Sequence, residues 1–268
     1  MKVLFLKKKS FIFLILFIIL IVITILLVFH ITKSKKICKE ENNTIDIQIV
    51  PPDECNCNDL DELNQKDEFL KQQYKNKKLV ALTFDDGPSE YTSSLIDELE
   101  KRDVVATFFV LGSEVEKYAE TLKFTYDTGN EIGIHSYEHK LFTKLSEDEI
   151  LNQVSKTKDI IFEITSKNPE LIRVPYGSVN KKITKILNKQ ELNNILWNVD
   201  SLDWKFKNTN KIYEYVMKKF KGNDIILMHD NFKTSVEAAT LIIDKLQIEC
   251  YTFVTVSDFL RIKEELNK

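Results

Sequence analysis

The sequence predicts an α/β protein, a distorted (β/α) barrel of about seven strands preceded by an N-terminal transmembrane helix. From residue 77 onward, short runs rich in β-branched and aromatic residues alternate with amphipathic stretches, as is typical of parallel α/β folds. A chain of 268 residues with such repeated strand–helix alternation is expected to form a closed barrel. The helix is predicted from a long apolar run near the N-terminus.

The apolar run covers residues 11–29, where Thr24 is the only polar side chain. A helix of that length spans roughly the 30 Å hydrocarbon core of a bilayer. A cleavable signal peptide is the alternative, but its apolar core would be shorter and a small-residue cleavage site would follow. We therefore expect an uncleaved single-pass anchor in the cell membrane. Lysines flank both ends, so we infer a cytoplasmic tail at residues 1–10 only from the extracytoplasmic chemistry described below.

Residues 30–76 are polar and acidic, and the Pro51-Pro52 break indicates a stalk or linker. A catalytic domain is predicted over residues 77–262, followed by a C-terminal tail at residues 263–268. The net charge of −3 argues against a nucleic-acid partner. The four cysteines lack the spacing of a zinc site, and both intermolecular pairing and free thiols stay open.

Seven segments of the catalytic domain have the composition of strands. They are residues 79–84, 104–111, 131–135, 171–174, 194–199, 224–229 and 251–256. Helical patterns lie between them, including one at residues 146–164. Ser146 is followed three residues later by Glu149, which predicts a capping box at the start of that helix.

Polar, titratable residues cluster where these predicted strands end. The clusters contain Asp85 and Asp86, His135 and His139, Arg173, Asp200 and Asp203, and His229. Because the carboxyl ends of parallel barrel strands converge on one face, we expect these residues to share one pocket.

Each cluster alone has an ordinary explanation. Asp-Asp-Gly after a strand is often a turn, a His-x-x-x-His pair is often a surface feature, and Arg173 or Trp204 could belong to a loop or the core. The combination is more specific, because every histidine except His30 lies in one of these clusters. Two histidines and a carboxylate are a ligand set for catalytic zinc, and an adjacent carboxylate is free to accept a proton.

Five motifs then occur in order: TFDDG at 83–87, HSYEH at 135–139, RVPYG at 173–177, DSLDW at 200–204 and LMH at 227–229. With these motifs, the chain resembles the polysaccharide deacetylase family, also called NodB-homology or carbohydrate esterase family 4, over about residues 77–262. The resemblance also implies a distorted barrel of about seven strands, in agreement with the strand pattern.

The resemblance implies a division of labour among the polar residues. Asp85 would be the general base, held in place by Arg173. Asp86, His135 and His139 would bind a divalent metal, with zinc favoured and cobalt or nickel as alternatives.

The resemblance further implies that His229 is the general acid, oriented by Asp203. The backbone N–H of Tyr176 would help to stabilise the oxyanion. The residues expected to contact the substrate are Pro175, Tyr176, Trp204 and Leu227.

Two positions depart from the family pattern. Val174 stands where many members have a second proline, and Ile134 precedes the first histidine where asparagine is frequent. Neither position carries a reacting group. We expect them to affect loop rigidity and efficiency without abolishing activity.

The implied function is removal of N-acetyl groups from an extracytoplasmic polysaccharide, with release of acetate. N-acetylglucosamine of peptidoglycan is the favoured substrate, and the muramic-acid sugar, chitin-like oligomers and an exopolysaccharide are alternatives. An O-acetyl esterase of the xylan type is a second possibility, because the same site can cleave esters. A catalytically inactive wall-binding scaffold is a third, although such a protein would be expected to lack a ligand or the base.

Overall fold

The computed structural model describes residues 72–267. The predicted anchor at residues 11–29 and nearly all of the predicted linker lie outside this range. Within residues 72–267, no helix is both long enough and apolar enough to cross a bilayer. Leu246–Cys250 is assigned to a separate compact unit, and the domain described here comprises the other described residues.

Residues 78–266 contain eight strands and nine α-helices. The strands are β1 (Lys78–Asp85), β2 (Thr107–Val110), β3 (Glu131–Ile134), β4 (Leu171–Ile172), β5 (Asn193–Asn194), β6 (Val199–Asp200), β7 (Ile225–His229) and β8 (Tyr251–Phe253). The α-helices are α1 (Thr92–Glu100), α2 (Gly112–Val115), α3 (Ala119–Asp127), α4 (Glu147–Thr165), α5 (Lys181–Lys189), α6 (Asp203–Phe206), α7 (Thr209–Lys219), α8 (Lys233–Ile248) and α9 (Val256–Leu266). Short 3₁₀ turns cover Phe142–Lys144 and Pro175–Gly177.

The strands form one curled parallel sheet. Seven of them follow the order β5-β4-β3-β2-β1-β7-β6, and β8 pairs with the beginning of β1. All of these pairings are parallel. The predicted α/β class and the count of about seven strands are therefore confirmed.

The predicted strand at residues 194–199 is wrong in one respect, because this segment contributes to two short strands at opposite edges of the sheet. β5 pairs with β4, whereas β6 pairs with β7. Asparagine side chains replace part of the backbone ladder: Asn194 Oδ1 accepts from the N–H of Val174, and Asn198 Oδ1 accepts from the N–H of Ile225. The segment between β5 and β6 thus connects the two edge strands of the sheet covalently, and no pairing between β5 and β6 is seen among the described strands.

The interior of the barrel is apolar below the site. Its buried side chains are Leu79, Ala81, Phe109, Leu171, Ile195, Ile225, Val254, Val256, Phe259 and Ile262. Three of these residues belong to α9, which covers the end of the barrel opposite the site. Helix α9 ends at Leu266, four residues beyond the predicted domain boundary at residue 262.

Gly133 on β3 is required by the packing of this interior. A Cβ atom at this position would lie 2.7 Å from ring atoms of Phe109 and 3.2 Å from the carbonyl oxygen of Leu171. Only glycine leaves room for the aromatic ring that fills the barrel.

The capping box predicted for α4 is confirmed. Ser146 Oγ accepts from the N–H of Glu149, whose carboxylate accepts from the N–H of Ser146 at 2.7 Å. The start of this long helix is therefore set by its own sequence.

Candidate active site

The predicted site residues converge at the carboxyl ends of the strands. Asp85 is the last residue of β1, His229 is the last residue of β7, and the two are direct neighbours in the parallel register. His135 follows β3 immediately, and Arg173 follows β4. Five sequence motifs far apart in the chain are thus brought to one face of the sheet.

Asp86, His135 and His139 form a candidate metal site. Asp86 Oδ1 lies 3.5 Å from His135 Nε2 and 3.5 Å from His139 Nε2, and one donor atom from each residue lies within 4.8 Å of the others. Donor atoms around a tetrahedral zinc ion are separated by roughly 3.3 Å, so this spacing fits the ion closely.

Two further observations support a cation at this position. His135 Nδ1 donates to the carbonyl oxygen of Arg173 at 2.6 Å, which leaves the lone pair of Nε2 facing the other two donors. Asp86 Oδ1 is buried and has no hydrogen-bond partner among residues 72–267. A buried carboxylate oxygen without a partner is unfavourable unless a cation or water completes it. The residues present therefore fit a divalent metal.

Burial lowers the pKa of His139, although the charge of Asp86 opposes the effect. A neutral imidazole is the form that binds metals. Asp86 and His139 also have positive φ values of 73° and 57°, a conformation that non-glycine residues adopt at a cost. Strained backbone at both residues indicates that the surrounding structure holds them in place.

Asp85 and Arg173 form a buried ion pair beside this cluster. Arg173 Nη1 donates to Asp85 Oδ1 at 2.7 Å, and Asp85 Oδ2 lies 3.7 Å from His135 Nε2. Both side chains are almost fully buried, and burial lowers the pKa of Arg173. The arginine also donates to Thr83 Oγ1 at 2.8 Å and to the carbonyl oxygen of Ile195 at 3.2 Å. One oxygen of Asp85 is therefore fixed while the other lies near His135 in the candidate metal site.

The guanidinium of Arg173 rests on the apolar interior. Its carbon atom lies 4.2 Å from the ring centroid of Phe109, within the range of a cation–π contact. The Nη2 atom has no hydrogen-bond partner in the described part of the chain. The guanidinium therefore lies between the apolar interior, which it contacts at Phe109, and the polar site, which it contacts at Asp85.

His229 and Asp203 form the second polar pair. His229 Nδ1 donates to Asp203 Oδ1 at 2.7 Å, and the N–H of His229 donates to Asp203 Oδ2 at 2.7 Å. Burial alone would lower the pKa of His229, but the hydrogen bond and charge of Asp203, with the charges of Asp85 and Asp86, raise it to about 9. The raised pKa favours the protonated form of His229, in which Nε2 carries a proton that can be released.

The profile of the polysaccharide deacetylase family matches residues 72–195. A peptidoglycan-N-acetylglucosamine deacetylase of Bacillus cereus is 35% identical over 195 residues, which is 71% of this chain and 71% of the relative. The chain belongs to the polysaccharide deacetylase family. Within this family, the peptidoglycan-N-acetylmuramic acid deacetylase PdaC of Bacillus subtilis is 43% identical over 191 residues, or 71% of this chain. The chain spans 40% of the length of PdaC.

The crystal structure of PdaC from Bacillus subtilis agrees with the fold described above. It superposes with a TM-score of 0.69 at 42% identity and covers 72% of this chain and 94% of the solved chain. The resemblance predicted from the five motifs is thereby confirmed.

The four residues predicted to contact substrate differ in exposure. Tyr176 is 65% exposed and Trp204 is 51% exposed, whereas Pro175 and Leu227 are buried. The ring of Tyr176 makes an edge contact with His139 at 4.6 Å between centroids. Leu227 lies on the same face of β7 as His229, and the backbone N–H of Trp204 donates to Asp203 Oδ1 at 2.8 Å. Tyr176, Trp204 and Leu227 thus lie beside the polar site, and Pro175 directly precedes Tyr176 in the chain. The contact of all four residues with substrate stays a prediction.

Sequence reasoning did not single out Asp230, which follows His229. Its carboxyl group is fully buried, and burial raises the pKa of Asp230 to about 7, although the hydrogen bond from Thr92 at 2.6 Å opposes this. A Cβ atom on Gly87 would lie 2.2 Å from Asp230 Oδ2, so the carboxyl group packs directly against the backbone after Asp86. Its position next to a motif histidine is the only sequence signal that could have marked it.

Proposed function

We propose that this chain is a metal-dependent N-deacetylase that releases acetate from an extracytoplasmic polysaccharide, namely peptidoglycan. The observation that carries the proposal is a three-donor candidate metal site with the Asp85–Arg173 pair on one side and the His229–Asp203 pair on the other. Both named relatives act on peptidoglycan according to their names, which supports the choice of polymer.

The arrangement supplies both proton transfers that amide hydrolysis requires. A divalent cation held by Asp86, His135 and His139 would polarise the acetamide carbonyl and make water easier to deprotonate. Asp85 accepts a proton from the attacking water, whose oxygen forms a bond to the carbonyl carbon.

His229 completes the reaction. Its Nε2–H gives a proton to the sugar nitrogen as the carbon–nitrogen bond breaks, so the products are acetate and a free amino sugar. Asp203 keeps the ring oriented by holding Nδ1. The backbone N–H of Tyr176 is proposed to donate to the oxyanion that precedes bond cleavage.

Zinc is the proposed metal, with cobalt and nickel as alternatives. Two imidazoles and one carboxylate suit all three ions, and availability often decides which one is bound.

The proposed location is the outer face of the cell membrane, with the apolar run at residues 11–29 as a single-pass anchor. Peptidoglycan, named in both relatives, lies outside the membrane. Cys250 is disulfide-bonded, and disulfides persist mainly in oxidising compartments outside the cytoplasm.

N-acetylglucosamine is the proposed sugar. The relative from Bacillus cereus is named for this sugar, whereas PdaC is named for N-acetylmuramic acid. The test below therefore includes identification of the sugar.

The test is acetate release from purified peptidoglycan by the zinc-loaded full chain in detergent. Mass spectrometry of the digested glycan would identify the deacetylated sugar, and acetylated xylan would serve as the O-acetyl comparison. We expect release from peptidoglycan that falls at least a hundredfold in Asp85→Asn and in His229→Ala, the range usual for loss of an acid or base. Faster release from xylan would favour the esterase, and zinc binding without any release would favour the inactive scaffold.

A further inference from the structure

The loop that joins the two metal-site histidines is held from two sides. On the side of α2, Gly112 donates its N–H to the carbonyl oxygen of Ser136, and Ser113 donates its N–H to the carbonyl oxygen of Tyr137, both at 3.1 Å. A Cβ atom on Gly112 would lie 2.5 Å from the ring of Tyr137, so the loop packs closely against this helix. These contacts satisfy the carbonyl groups of the loop.

The N–H groups of the loop are satisfied from the other side by one residue of α4. Gln153 Oε1 accepts from the N–H of Tyr137 at 3.1 Å and from the N–H of Glu138 at 2.9 Å. Gln153 Nε2 donates to Glu138 Oε2 at 3.0 Å. Gln153 is only 4% exposed, so the two backbone N–H groups would have no ready replacement acceptor.

The loop needs this support because its backbone is strained. Ser136 and His139 have φ values of 80° and 57°, and such conformations persist in non-glycine residues only where neighbouring contacts impose them. The N–H of His139 is bonded to Ser136 Oγ at 2.9 Å, so the strain at the two residues is linked. Gln153 holds the two residues between them.

We propose that Gln153 is a positioning residue for the metal site, which it serves by fixing the loop that sets the spacing of His135 and His139. It binds neither metal nor substrate. The inference rests on the proposed metal site. It concerns how closely His135 and His139 are held in their binding positions before the ion binds. A side chain outside the five motifs, on a helix more than ten residues further along the chain, thereby becomes part of the metal-binding machinery.

The first test replaces the acceptor with an apolar side chain of similar size. In Gln153→Leu, we expect the zinc affinity of the full chain, measured by chelator competition, to fall roughly tenfold, as is usual for supporting residues around a metal. The absorption bands of the cobalt-loaded variant should also shift, because they report ligand geometry. Ser155→Ala, on the exposed side of α4, is the control and should bind zinc like the unsubstituted chain.

The second test separates positioning from folding. Gln153→Glu keeps an oxygen that can accept from both N–H groups, but it places the new carboxylate against that of Glu138. Adding Glu138→Gln restores an amide opposite a carboxylate, so that one side chain can again donate to the other. We expect Gln153→Glu to weaken zinc binding and the double variant to recover most of the loss. This comparison holds even if Gln153→Leu fails to fold.

The outcomes are distinct. If the unsubstituted chain binds no zinc, the proposed function fails. If it binds zinc and a folded Gln153→Leu binds it equally well, the role of Gln153 is refuted. Absence of recovery in the double variant would also refute it.

Discussion

Asp203→Asn tests the coupling between the proposed general acid and its buried partner. Asp203 accepts the Nδ1–H and the backbone N–H of His229 as well as the N–H of Trp204. An asparagine has only one acceptor oxygen, so its NH₂ group must face one of these donors. The substitution removes the negative charge and leaves at least one buried donor without a partner.

The magnitude follows from the pKa of His229. The rise from 6.5 to about 9 corresponds to about 3 kcal/mol, since each tenfold change in proton affinity is worth about 1.4 kcal/mol. Because the pKa is higher in the folded chain than in the unfolded chain, this stabilisation is complete below about pH 6.5 and disappears as the pH rises through about 9. Asp203 supplies part of this rise, because Asp85 and Asp86 also raise the pKa of His229. The difference in unfolding free energy between the unsubstituted chain and Asp203→Asn should therefore be about 1 to 3 kcal/mol larger at pH 6 than at pH 10.

The assay is urea unfolding of metal-free protein comprising residues 30–268, at both pH values. His229→Gln is the control, because Asp203→Asn in that background should produce a gap that varies little with pH. With zinc bound, the alkaline limb of the rate profile should move to lower pH in Asp203→Asn, since His229 loses its proton more easily. A gap of the same size at pH 6 and pH 10 would refute the reasoning.

Three further predictions follow from the site and the core. Arg173→Met leaves Asp85 as an unpaired buried charge and should lower the free energy of unfolding by about 3 to 5 kcal/mol in urea titrations; an effect no larger than that of Lys123→Met, at an exposed ion pair, would contradict this. His139→Ala should weaken zinc binding at least tenfold in chelator competition, and unchanged affinity would remove His139 from the ligand set. Gly133→Ala should lower the free energy of unfolding by about 1 to 3 kcal/mol because its Cβ meets the ring of Phe109, and an unchanged urea midpoint would show that the ring yields freely.

The strand ends could be predicted from the sequence because each one combines a local apolar run with a polar residue immediately after it. Asp85 and His229 are the simplest cases, since each is the last residue of a strand that pairs in parallel with the other. The convergence of such ends is a property of parallel sheets in general. Local pattern and fold geometry together were sufficient for these residues.

The split of residues 194–199 could not be predicted in this way. The composition of the segment is that of one strand, and only its pairing with β4 and β7 separates it into β5 and β6. The burial and the hydrogen-bond partners of Gln153 and Asp230 could not be predicted for the same reason. A buried amide or carboxyl group is recognisable only when its distant partners are known, and Gln153 has the sequence context of an ordinary residue on an amphipathic helix.

The bond from Arg173 to the carbonyl oxygen of Ile195 gives the arginine a second role. Ile195 belongs to the segment that connects β5 at one edge of the sheet with β6 at the other. The guanidinium of Arg173 therefore donates hydrogen bonds both to this connecting segment and to the carboxylate of Asp85. The position of this connecting segment and the orientation of Asp85, the proposed base, are therefore coupled. A sequence change that moves the backbone of Ile195 should therefore also move Arg173 and, through it, the carboxylate of Asp85.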